Sequence, residues 1–129
     1  MSYYFSKSIQ GENMDSVIDR VTQALSVESF GILTQIDVRA TMKQKLGMDF
    51  RDYRILGACN PPLAHKALEA EDKIGTMLPC NVIVQDQGEG RYEVAAIDPA
   101  ASMQAIDNPD LIRLAEEVGA RLKKVVDGL

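Results

Sequence analysis

From Leu111 to Val126 the apolar residues Leu111, Leu114, Ala115, Val118, Leu122, Val125 and Val126 recur at helical spacing. A stripe this wide on one long helix is stable only when a second layer of structure covers it. Asn108-Pro109 starts the helix as a cap followed by a first-turn proline. Glu117 and Arg121 pair one turn apart, and Lys123 and Lys124 lie near the negative C-terminal end of the dipole. Gly119 sits beside the stripe, where glycine costs about 1 kcal/mol against alanine, so it marks close packing.

The covering layer is read from segments of period two. Tyr3 to Ile9 forms a short strand with Tyr3, Phe5 and Ile9 facing one way, and Gly11 ends it. Asn13 caps a helix carrying Met14, Val17, Ile18, Val21 and Leu25 on one face. Ser29 to Val38 alternates, with Ile32, Thr34, Ile36 and Val38 on one face and Leu33, Gln35 and Asp37 on the other. If the first two strands are neighbours, the helix between them makes the pair parallel. Ala40 to Leu46 suits a short helix stopped by Gly47. Tyr53 to Cys59 is a third strand, followed by a proline-initiated helix through Leu63, Ala64, Ala67 and Leu68. Val82-Ile83-Val84 is apolar on both faces and reads as a central strand; a turn at Gly88-Glu89-Gly90 returns it as Tyr92 to Ile97. Asp98-Pro99 is a further helix start. The whole of residues 1–129 is therefore one α+β domain: an antiparallel or mixed sheet of about five strands, with helices mainly on one face and a long C-terminal helix.

With 129 residues the chain buries enough surface to fold without a metal or disulfide staple. Its formal charge of −5 argues against nucleic acid, which demands a basic stripe. No apolar run approaches the roughly 18 residues of a membrane helix, and the N-terminal residues lack a secretory pattern, so the expected location is the cytoplasm. Two cysteines outside any Cys-x-x-Cys pair fit reduced thiols in that compartment.

Those cysteines lie in a doubled pattern. Cys59-Asn60-Pro61-Pro62 follows one apolar run and Pro79-Cys80-Asn81 opens another, so two rigid corners at strand ends each carry a thiol and an amide. The segments Ile55 to Pro62 and Gly75 to Val84, with Phe30 to Val38 and Asp98-Pro99, resemble the hallmark of the DUF302 family, small bacterial and archaeal proteins of unknown function. The likeness spans nearly the whole chain. It implies a β-α-β start, a curved sheet, a long C-terminal helix and a homodimer, and it carries no established activity.

The candidate ligand-binding residues are accordingly Cys59, Asn60, Cys80 and Asn81. The plain reading of the thiols is small, buried, inert side chains. The functional readings are a pocket for a small polar or anionic ligand bordered by both corners, a redox pair, or a thiol enzyme in which His65 serves as base for Cys59 or Cys80. No group is identifiable that would orient His65, and its plain reading is an exposed helical histidine. A zinc site needs four ligands and only His65 is available as a third, so no metal is assigned and no cofactor is identified. Asn60 and Asn81 read plainly as turn formers or caps. Arg39, Lys43 and Lys45 form a basic helical face, solvated in the plain reading and anion-receiving in the other, with the helix N-terminus near Ala40 assisting. No nucleotide loop and no serine nucleophile motif is present. A purely structural interaction module stands as the third class. Self-association is expected from the family likeness and from an apolar content of 46%.

Overall fold

The computed structural model describes residues 2–129. The period-two segments become β1 (Tyr4–Gln10), β2 (Gly31–Asp37), β3 (Tyr53–Cys59), β4 (Cys80–Gly88) and β5 (Arg91–Ile97). The helical segments become α1 (Met14–Val27), α2 (Val38–Leu46), α3 (Pro61–Ala70), α4 (Pro99–Ser102) and α5 (Pro109–Asp127). One antiparallel sheet holds all five strands in the order β1-β5-β4-β3-β2, with the doubly apolar β4 at its centre.

The chain starts β-α-β, yet β1 and β2 form opposite edges of the sheet rather than a parallel pair. The inner places are taken by β3, β4 and β5, since β5 pairs with β1 and β4, and β3 pairs with β4 and β2, so the connection through α1 passes over the sheet to its far edge. Asn13 caps α1, accepting from the Ser16 amide at 2.8 Å, while Ser16 Oγ accepts from the Asn13 amide.

The helices pack on one face. Met14, Val17, Val21 and Leu25 of α1 and Leu122, Val125 and Val126 of α5 meet Leu56, Val82, Val84, Val94 and Ala96 in the main core. A second cluster of Ala67, Ile74, Met103, Leu111 and Ala115 joins α3, α4, α5 and a 3-10 turn over Asp72–Met77 that the sequence pattern does not announce. Gly119 does mark a close approach: a Cβ there would lie 3.1 Å from Asp98 Oδ1 at the start of α4.

The opposite face of the sheet carries no helix. Register places Tyr4, Ile36, Tyr53, Ile55, Ile83, Ala95 and Ile97 on it. In β2 the expected alternation is broken by a bulge between Ile32 and Thr34. Ile32 therefore faces the core opposite Ala58, whereas Thr34 and Ile36 face outward, and Ile36 is 49% exposed. Among the described residues no helix is long and apolar enough to cross a membrane.

Candidate functional site

β3 ends at Cys59, and the chain runs through α3 and the 3-10 turn before re-entering the sheet at Cys80. Antiparallel register sets Cys80 directly opposite Ala58, so the two corners sit on neighbouring strands at one end of the sheet. Beneath α3 they border a cavity of about 290 Å³. Its sheet wall is Ala58, Cys59 and Cys80; α3 contributes Leu63, Ala64, Ala67 and Leu68; and α5 contributes Leu111, Leu114, Ala115 and Val118. Phe30, Leu33, Leu78, Pro79, Pro99 and Met103 complete it.

The cavity lies on the seam between the two hydrophobic clusters, since Phe30 and Ala58 belong to the main core and Ala67, Met103, Leu111 and Ala115 to the second. Small side chains make the space. Ala64 and Ala67 on α3 face Ala115 on α5 across it, and helices meeting through alanines do not fill the volume that leucines would.

Asn60 contributes the only amide side chain of the wall, and both its ends are engaged. Its Oδ1 accepts from the Leu63 amide at 3.4 Å, capping α3, and its Nδ2 donates to the Glu28 carbonyl at 3.3 Å. Arg121 Nη1 donates to that same carbonyl at 3.4 Å, so Asn60 ties α3 to the end of α1 beside α5. Asn60 is 5% exposed and is a structural cap. Asn81 follows the other parity. It is exposed on the helix-free face with Ile83 and Gln85, away from the cavity, because one residue along a strand reverses the side.

The thiols share the cavity but not an activating group. Burial, with a smaller contribution from the charge of Cys59, pushes the Cys80 thiol up to about 11, so it is protonated at neutral pH. Both cysteines are free. His65 does not line the cavity. Its side chain is 74% exposed, with Nδ1 3.3 Å from Glu69 Oε1 one turn along α3. The base required by a Cys-His mechanism is therefore not brought to either sulfur.

The basic face fares similarly. Asp37 caps α2, accepting from the Ala40 amide at 2.9 Å, so a carboxylate already occupies the helix N-terminus that the anion-receiving reading would use. The same Asp37 lies 3.6 Å from Arg54 Nε, which also donates to Asp52 Oδ1 at 3.2 Å, and Lys43 pairs with Asp49. Among the described residues no group of three His, Cys, Asp or Glu side chains gathers as a metal site. The wall residues contributed by α4 and α5, Met103, Leu111, Ala115 and Val118, were not foreseen from the sequence. The signal that hinted at them is the run of alanines on two helical stripes.

The family model described as a domain of unknown function, DUF302, matches residues 5–129. The crystal structure of an uncharacterised conserved DUF302 protein from Bacillus stearothermophilus superposes with a TM-score of 0.87 at 27% identity, covering 98% of each chain. No curated protein matches the chain.

Proposed function

Because the chain belongs to the DUF302 family, whose description names no activity, we propose from the geometry alone that it is a small-molecule-binding protein whose ligand occupies the cavity under α3. One observation carries this reading: a cavity of about 290 Å³ at the meeting of two cores, in a fold otherwise packed to full burial at Leu25, Leu56, Val84 and Leu122. Ligand sites begin at about this size and are walled mainly by apolar side chains, as this one is. The lining moves the expected ligand from polar or anionic to apolar, since Asn60 is engaged at both ends and Asn81 lies elsewhere. Cys59, Cys80 and Asn60 remain as wall residues, the first two as contacts and the third as the support of the α3 wall.

A binding protein is favoured over a thiol enzyme by the protonated state of Cys80 and the outward position of His65. Two free thiols suit the reducing cytoplasm, where we place the protein. The test is a thermal-shift screen of small neutral and charged compounds, repeated on Ala115→Leu, which fills the cavity from α5. Ligand-dependent stabilisation of the wild type that is lost in the variant supports the reading. Stabilisation that survives the variant, or none across the screen, rejects it.

The helix-free sheet face favours self-association as well. Five strands of about seven residues, together about 19–24 Å wide, cover a footprint of about 450–570 Å², so two copies face to face bury on the order of 1,000 Å², at the lower limit of a specific interface. One cation and one anion of this face are linked through Gln85, since Arg51 donates to Gln85 at 2.8 Å and Gln85 donates to Glu93 at 2.7 Å. Sedimentation showing a dimer that Ile83→Lys dissociates supports this; a monomer at tens of micromolar contradicts it.

A further inference from the structure

We propose that the ligand of this cavity is an uncharged aromatic molecule of about a dozen heavy atoms; this rests on the cavity being a ligand site. Size comes first. A volume of about 290 Å³ equals the liquid share of about ten waters, which suits the enclosed part of the occupant to a small ring system. Charge comes second. Among the described residues no carboxylate, ammonium or guanidinium group lines the wall, and an unpaired ion taken out of water into such a site costs several kcal/mol. Hydrogen bonding comes third. Asn60 is engaged at Oδ1 and Nδ2, and among the described residues no buried side-chain polar atom lacks a partner. The wall therefore holds no buried side-chain polar atom without a partner, and a polar atom of the ligand is best placed at the mouth, beside the exposed Leu33 and Leu68.

The aromatic character follows from the sulfurs. Cys80, opposite the inward Ala58 on the sheet wall, and Met103, at the C-terminal cap of α4, border one space together with the ring of Phe30. Polarisable sulfur makes favourable contacts with aromatic rings that it does not make with saturated ones, and a rigid ring loses less freedom on binding than an acyl chain. The sulfurs of Cys80 and Met103 beside one apolar volume thus favour a ring over an aliphatic chain of equal size.

The experiment titrates the intact protein by calorimetry at neutral pH with 1-naphthol, with its saturated counterpart decahydro-1-naphthol, and with 1-naphthoate. The expected order is 1-naphthol tightest and 1-naphthoate weakest by at least about tenfold. Met103→Leu, which removes the sulfur at nearly conserved apolar volume, lowers naphthol affinity by about 2- to 10-fold and leaves the saturated compound within about twofold. Cys80→Ala provides the same reading should Met103→Leu fail to fold. Equal affinity for the saturated compound, unaffected by either variant, overturns the aromatic assignment while leaving the site intact. Tightest binding of 1-naphthoate overturns the uncharged assignment in the same way. Binding of all three unchanged in Ala115→Leu, or of none, rejects both this proposal and the site itself.

Discussion

Removing the Asn60 side chain separates a structural corner from a ligand-gripping one. In Asn60→Ala the cap of α3 is lost, a change worth about 1 kcal/mol, and the bond from Nδ2 to the Glu28 carbonyl is lost with it, worth about another 1 kcal/mol. The Glu28 carbonyl keeps its contact from Arg121, so no bare acceptor adds to the cost. For 129 residues the unfolding entropy is about 270 cal/mol/K, so the sum of about 2 kcal/mol lowers Tm by about 7 °C. Asn60→Ser, which retains a capping oxygen but not the amide donor, is expected to lose about half as much. Asn81→Ala, on the exposed face, is expected to stay within about 0.5 kcal/mol of wild type. Differential scanning calorimetry of the three variants without any added ligand is the assay. A drop below about 2 °C for Asn60→Ala, or an equal drop for Asn81→Ala, would refute the assignment of Asn60 as a cap.

Two further changes probe the same corner. Gly57→Ala places a Cβ against Thr34 Oγ1 and 2.8 Å from Pro79 Cγ, so urea denaturation is expected to show a loss of about 1–3 kcal/mol, and an unchanged midpoint would show that Pro79 does not rest on this glycine. The Cys80 thiol, raised to about 11 in the folded state, contributes stability that is complete below the ordinary thiol value and is lost as pH rises from about 9 to 11; the expected fall, on the order of 2–3 kcal/mol, should flatten in Cys80→Ala, and an equally steep fall in that variant contradicts the burial of Cys80.

Most of the fold is written in local signals. The caps at Asn13, Asp98 and Asn108, the αL stop at Gly47 and the Gly88-Glu89-Gly90 turn act within a few residues, and each sits where its chemistry places it. Strand order is different. That β1 and β2 occupy opposite edges depends on which strands pair with one another, which is not a property of one segment. The bulge at Leu33 is another such case, because an extra residue in one strand is visible only against its partner. At the site, the corners of Cys59 and Cys80 were legible as strand ends bounded by proline, and antiparallel register set them side by side. Asn81 was misplaced by pairing it with Asn60, since the two follow their cysteines in sequence but only one precedes a helix. The apolar character of the cavity was hidden for a further reason. It arises from Met103, Leu111 and Ala115, which come from a later part of the chain and meet α3 only in the folded protein.

Methyl-resolved NMR of the intact protein titrated with 1-naphthol tests the central claim that the cavity under α3 is the ligand site. The account predicts saturable shift changes at the methyl groups of Leu63, Ala67, Met103, Leu111 and Ala115, with those of Ile36, Ile55, Ile83 and Ala95 on the helix-free face unmoved. Shifts concentrated on that open face, with the cavity methyls unchanged at saturation, would contradict it.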